Sequence, residues 1–325
     1  MTTEKSKPDY SCCGPSSSGP SPAGEEQNQA SCCSPSATEL SESPEEKEWN
    51  STDSGIRQAV RDQYGKVAER SNSGSSSCCG PTDSGQSASE LMGYSKEELE
   101  SLPEGADLNL GCGNPTAFAS IQPGDTVVDL GSGAGIDCFL AAVKAGETGK
   151  VIGVDMTPPM IDKARANAKQ GGYDNVEFRL GEIEHMPVAD DIADLIISNC
   201  VINLSPDKPQ VFREAYRVLK PGGKMMVSDI VLLRPLPESV RNSPEAYAGC
   251  VAGAMMKEEY LGAIRSAGFE NVEIVDQTGD PVSLEDDPIV SEFAENADPS
   301  QKALLSQIVM KSVVSIKVSA TKPAS

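Results

Sequence analysis

Ten cysteines and a single histidine make sulfur the conspicuous reactive element of this 325-residue chain. Cys112 lies in "LGCGNP", between glycines and before Pro115, a setting that predicts an exposed turn. Cys200, in "SNCVINLSPDK", follows the apolar run "ADLIIS" and predicts the C-terminal end of a buried strand. Cys250, in "AYAGCVAGA", reads as a helix position whose small neighbours would let a ligand approach. Cys138, within "GIDCFLAA", best fits the plain alternative of a packed thiol, since free cysteine behaves as a small apolar residue. The other six form three Cys-Cys pairs, 12/13, 32/33 and 78/79, each set in Ser, Gly and Pro. No C-x-x-C occurs, and one histidine cannot supply Cys/His zinc spacing. Three separated thiols near one crevice point instead to a site for a soft ligand held by thiolates. Nothing around His185 makes it a general base.

A glycine-rich turn gives those thiols a companion. In "VVDLGSGAGIDCFLAA", Gly131, Gly133 and Gly135 stand between a predicted strand carrying Asp129 and a predicted helix, with Ser132 inside the turn. Glycine lets backbone approach a ligand, and a helix start offers free N–H groups. The G-x-G-x-G spacing is neither the dinucleotide fingerprint nor a phosphate loop. Asp155, followed by Met156, ends the next strand, "VIGVDM", where a carboxylate can accept both hydroxyls of a ribose. Glu182 and Ile183 in "GEIEHMPV" suit an adenine amino group and ring face, and Asn199, beside Cys200 at the fourth strand end, is expected to contact the same ligand.

Those residues need a scaffold, and the pattern supplies one. From Ile121 onward, strands ("DTVVDLGSG", "KVIGVDM", "VEFRLGEI", "ADLIISNCVIN", "KMMVSDIVL") alternate with helices of ten to fifteen residues. That alternation predicts an α/β fold, a doubly wound, mostly parallel sheet. Upstream, Ile56, Val60, Tyr64 and Val67 recur at helical spacing, and Ser95 with Glu98 forms a capping-box signature. Downstream, "SPEAYAGCVAGAM" and "KEEYLGAIRSAGF" read as helices, and "VEIVDQT" and "VVSIKVSATKP" as strands.

Composition bounds the function. A formal charge of −22 and a pI near 4.4 exclude the basic face that nucleic acid requires and disfavour anionic membranes. No apolar run approaches a membrane span, and "MTTEKSKPDYSCC" lacks the apolar core of a secretory signal, so a cytoplasmic location is expected. The first fifty residues hold nine acids against three lysines and no apolar periodicity, which predicts disorder.

Between about residues 110 and 280 the chain resembles the class I S-adenosylmethionine-dependent methyltransferases. The words "LNLGCGNP", "DLGSGAGIDCFLAA", "GVDMTPPMI", "ISNCVINLSPDK", "VSDIVLL" and "YAGCVAGA" are similar, more narrowly, to arsenite methyltransferases. The resemblance implies a Rossmann-like fold, S-adenosylmethionine as methyl donor, and Cys112, Cys200 and Cys250 as ligands of trivalent arsenic. It implies that Cys78 or Cys79 forms a disulfide with Cys112 during turnover, reopened by a thiol reductant such as glutathione or thioredoxin. Arsenicals delivered as glutathione conjugates, a monomer, and a role in detoxification complete that expectation. The implied organisation is a tail (1–55), a helical segment with the Cys78/Cys79 loop (56–110), the cofactor-binding core (111–235), and an arsenic-binding helix with a C-terminal subdomain (236–325). Two rivals stand beside it. One is a class I methyltransferase acting on a quinone- or sterol-type molecule, and the other is a thiol-rich arsenic-binding protein without catalysis.

Overall fold

The computed structural model describes residues 52–70, 87–278 and 311–324. The tail pairs Cys12/Cys13 and Cys32/Cys33, and the Cys78/Cys79 pair, lie outside them. The helices are α1 (Asp53–Arg70), α2 (Ala88–Leu91), α3 (Lys96–Glu100), α4 (Ile136–Ala145), α5 (Pro158–Gly171), α6 (Lys208–Val218), α7 (Glu238–Arg241), α8 (Pro244–Ala248) and α9 (Lys257–Ser266). The strands are β1 (Thr126–Leu130), β2 (Lys150–Asp155), β3 (Val176–Leu180), β4 (Ala193–Asn199), β5 (Leu219–Leu232), β6 (Glu270–Thr278) and β7 (Val313–Thr321). They form one seven-stranded sheet in the order β3-β2-β1-β4-β5-β7-β6.

The first five strands are parallel, and β7 runs antiparallel between β5 and β6. Strand order reverses between β1 and β4, the switch point where open α/β sheets leave a crevice beyond the strand ends. Successive side chains point to opposite faces, and the central strands are apolar on both. Val128, Leu130, Ile196, Met225 and Val227 pack on one face with Phe212 and Val218 of α6. Val127, Leu195, Ile197 and Met226 pack on the other with Cys138 and Phe139 of α4 and Ile161 of α5. Each fully buried large side chain stabilises the fold by roughly 1.5–3 kcal/mol before its ordering entropy is counted.

Ser95 caps α3 through a complete box with Glu98, as its sequence predicts. The C-terminal region set apart from residue 236 is continuous with the core: β6 and β7 are strands of the same sheet. The helix expected through Cys250 is a single turn and a half that stops at Ala248. Among the described residues no helix is long and apolar enough to cross a membrane.

Candidate active site

The turn from β1 into α4 places Gly131, Gly133 and Gly135 at φ +68°, +51° and +104°, a left-handed path that favours glycine. A Cβ on Gly131 would collide with Val201, and one on Gly135 would come within 2.6 Å of Phe139. Gly133 has open space where its side chain would be, on the wall of a large cavity at the switch point. Asp155 holds this turn from the end of β2: Oδ2 accepts the N–H of Gly133 at 3.0 Å and Oδ1 accepts that of Thr157 at 2.8 Å. Burial raises the Asp155 carboxyl above its usual range, and those two N–H bonds oppose the shift. Ser132 Oγ is buried without a hydrogen-bond partner in this wall. A buried hydroxyl left alone is costly, and this one packs against β2, where a Cβ on Gly153 would lie 2.7 Å from it.

Met156, Ile183 and Asn199 also line the cavity. Asp129, Gly135 and Glu182 do not. Asp129 lies behind the turn, only 2% exposed, where its Oδ2 accepts the Cys138 thiol at 3.2 Å. Burial, and then the charge of Asp137, pushes its carboxyl well above the usual carboxylate range. Cys138 is therefore a packed thiol with a polar partner rather than a purely apolar one. Glu182 turns away to α1, bonding Arg61 at 2.6 Å and standing 3.4 Å from Arg57. A guanidinium pair from a helix far upstream thus occupies the carboxylate expected to meet a base.

Cys112, Cys200 and Cys250 line the same cavity and belong to one apolar cluster with Val60, Leu204, Ile230 and Val313. All three are buried, at 5%, 6% and 5% exposure, so the exposed turn expected at Cys112 is not found. The reason is long-range: the Cys112 N–H is bonded by Asn199 at 3.0 Å and its carbonyl by Ser315 of β7 at 3.0 Å. Cys200 and Cys250 both hold left-handed backbone, φ +58° and +61°, unusual for residues with a Cβ. At Cys250 the cause is the end of α8: Val251 N–H bonds Ala246 O and Cys250 N–H bonds Tyr247 O, both at 3.0 Å. That is a Schellman cap with cysteine in the place glycine usually takes. Strain of this kind persists where surrounding structure enforces it, often at functional positions.

The Cys200 thiol is pushed well above the usual range, first by hydrogen bonds with the Cys112 and Cys250 thiols and then by burial. Among the described residues none of the four cysteines is in a disulfide, and no acidic, histidine or cysteine side chains form a ready-made metal cage. The three thiols are neighbours in the cavity wall.

Several wall residues belong to elements that the sequence reading did not join to the site. Arg57, Val60 and Tyr64 reach the cavity from α1, and Arg57 bonds Glu184 at 3.0 Å. Tyr64 OH donates to the carbonyl of Ala248 at 3.1 Å, so α1 spans the glycine-turn side and the cysteine side. Asp137, in the first turn of α4, accepts from Tyr94 OH at 2.9 Å, and burial raises its carboxyl to about 6. Its place just past the glycine turn was readable; Tyr94, between two one-turn helices, was not.

The parallel order, the glycine turn and the carboxylate on β2 define the methyltransferase class, and a methyltransferase-domain family model matches residues 121–268. An arsenite methyltransferase of Halobacterium salinarum is 50% identical over 228 residues, 67% of this chain and 58% of that protein. One of Aquipseudomonas alcaligenes is 36% identical over 249 residues, 74% of this chain and 69% of that protein. The crystal structure of an arsenic(III) S-adenosylmethionine methyltransferase from Chlamydomonas reinhardtii superposes with a TM-score of 0.52 at 33% identity, covering 72% of each chain. The chain belongs to the arsenite methyltransferase family. It spans under two thirds of the halobacterial relative's length, and somewhat more of the second.

Proposed function

We propose that the protein methylates trivalent arsenic, arsenite and methylarsenite, with S-adenosylmethionine as donor and Cys112, Cys200 and Cys250 as the arsenic ligands. The observation that carries this reading is three buried thiols, two on strained backbone, opening onto the cavity that holds the glycine turn and Asp155.

The residues present fit the donor. Gly133 leaves backbone bare for close approach, and Asp155, in the cavity wall, has lone pairs for ribose hydroxyls. Ile183 and Met156 supply apolar wall. Bound there, the donor supplies an electrophilic methyl group on a sulfonium.

The chain's own part begins with ligand exchange. Each As–O bond is replaced by an As–S bond, and the thiol proton leaves with the displaced hydroxide as water. Trivalent arsenic keeps a lone pair, so the nucleophile has no proton to lose and a general base is not required. That agrees with a site rich in thiols and poor in histidine. The apolar shell of Val60, Leu204 and Ile230 excludes water and fixes the approach, where most rate acceleration would arise. Methylation leaves pentavalent arsenic; a fourth thiol, from Cys78 or Cys79, then closes a disulfide with Cys112 and returns the arsenic to the trivalent state. Glutathione or a thioredoxin-type protein would reopen that disulfide. Glutathione-conjugated arsenicals as the delivered form, a monomeric cytoplasmic enzyme, and detoxification belong to the same reading.

The deciding experiment incubates purified protein with arsenite, S-adenosylmethionine and glutathione, and separates arsenicals by chromatography. Methylated and dimethylated arsenic are expected; their absence overturns the proposal.

A further inference from the structure

Asn199 ends β4 immediately before Cys200, and its amide grips the turn that carries Cys112. Oδ1 accepts the N–H of Cys112 at 3.0 Å, and Nδ2 donates to the carbonyl of Gly113 at 2.7 Å. The amide thus bonds the backbone on both sides of the thiol, as a neighbouring strand would. Its orientation is dictated by those partners, because only an oxygen can meet the N–H and only a nitrogen the carbonyl. Nδ2 also donates to Tyr94 OH at 2.9 Å, and Tyr94 OH donates to Asp137 Oδ1 at 2.9 Å. Tyr94 and Asp137 are each 3% exposed, so the anchor stands away from water, where such bonds hold geometry well. The fit is close: a Cβ on Gly111, itself at φ +126°, would lie 2.8 Å from Asn199 Nδ2. The next residue, Cys200, is fixed by its own N–H to the Ser228 carbonyl at 2.8 Å, and Ser228 Oγ stands 3.9 Å from Cys112 Sγ. Two adjacent residues at one strand end therefore set the positions of two thiols far apart in sequence.

We propose that Asn199, expected from sequence to contact the cofactor, is instead the positioning residue for the third sulfur. By clamping the Cys112 turn against Cys200, it decides whether arsenic is held by three sulfurs or by two. This rests on the reading that the three thiols bind arsenic. Without the amide, the Cys112 N–H and the Gly113 carbonyl lose their partners, and the turn relaxes away from Cys200. Arsenite, with three exchangeable positions, loses a sulfur ligand; methylarsenite, with two, keeps Cys200 and Cys250.

The test is arsenic-edge X-ray absorption and equilibrium binding on the full chain, with arsenite and with methylarsenite as separate probes. The parent protein binds arsenite through three sulfurs. Folded Asn199→Ala binds it through two sulfurs and one oxygen, at least about tenfold more weakly, the equilibrium cost of two lost hydrogen bonds. Methylarsenite keeps two sulfurs and unchanged affinity in both proteins. Tyr94→Phe, which removes the shorter of the amide's two anchors and leaves Asp137 Oδ2 at 3.3 Å, shows the same split in smaller degree and carries the test if Asn199→Ala fails to fold. Three sulfurs on arsenite in folded Asn199→Ala, or an equal loss for both arsenicals in either variant, overturns the proposal. Fewer than three sulfurs in the parent overturns the arsenic-binding reading, and this proposal with it.

Discussion

The Cys250 thiol donates to the main-chain carbonyl of Cys200 at 2.7 Å, joining the two left-handed cysteines directly. The bond holds one sulfur beside the other while turning it toward an oxygen. Binding a soft ligand here exchanges an S–H···O bond for a bond to sulfur and needs only side-chain rotation. The backbone cost is already met, because φ at both residues is set by the folded chain.

That strain has a direct signature. Alanine ordinarily matches or exceeds glycine in stability, but at a left-handed position the order reverses. Cys250→Gly is expected to unfold at higher denaturant than Cys250→Ala by about 1 kcal/mol, with both variants inactive. Equal midpoints would show that the left-handed backbone costs nothing here.

The ligand roles separate by acceptor. Cys200→Ser and Cys250→Ser are expected to fail with arsenite and methylarsenite alike, since a methylated arsenic with two exchangeable positions needs two thiols. Cys112→Ser, and the double variant Cys78→Ser/Cys79→Ser, should still methylate methylarsenite. Product chromatography from each acceptor checks this; equal loss by all variants on both refutes the division.

Much of this was readable in the sequence, and the failures share a cause. Strands β1, β2 and β4 announce themselves because buried parallel strands are near-continuous apolar runs, ending here before Gly131, at Asp155 and at Asn199. The burial of Cys112 was hidden because Asn199 and Ser315, which cover it, lie far along the chain. The pairing of Glu182 was hidden for the same reason, its partners Arg57 and Arg61 belonging to α1. At Cys250 the error was local: "AGCVAGA" has helical composition, but Gly249 precedes a Schellman cap that propensity does not reveal.

The cofactor side has its own test. Asp155→Ala should weaken S-adenosylmethionine binding by ~1.5–3 kcal/mol, typical of hydrogen bonds to a charged group, with arsenite binding little changed. Because Asp155 also holds Gly133 and Thr157, Asp155→Asn, keeping one acceptor, should fall between. Calorimetry giving unaltered donor affinity in both would remove Asp155 from the site.

Cys138 and Asp129 predict an unusual order of substitutions. Serine preserves a donor to Asp129 Oδ2, whereas alanine leaves a buried carboxyl oxygen unpaired. Cys138→Ala is therefore expected to be about 1–3 kcal/mol less stable than the parent, and Cys138→Ser less damaged. Denaturant midpoints in the opposite order would show that the thiol's packing outweighs its bond.

Asp229 on β5 is fully buried, bonds Tyr260 OH of α9 at 2.8 Å, and faces the ammonium of Lys208 on α6. Burial raises its carboxyl to about 7, opposed by Tyr260 and Lys208. A raised carboxyl stabilises the folded chain below its unfolded pKa, and that contribution is lost as pH rises through the folded value. Melting across pH 4 to 8 should show a fall of order 4 kcal/mol that Asp229→Asn flattens. A profile identical to the parent's would exclude Asp229 as its source.

The place of β7 in the sheet governs the order in which this site comes into being. β6 has β7 as its sheet neighbour, and β7 contributes Ser315, which holds the Cys112 carbonyl. A chain emerging from the ribosome makes all three thiols before residue 313 appears, yet β6 and the Cys112 turn cannot settle until it does. The three sulfurs are therefore synthesised before the strand whose Ser315 completes the setting of Cys112.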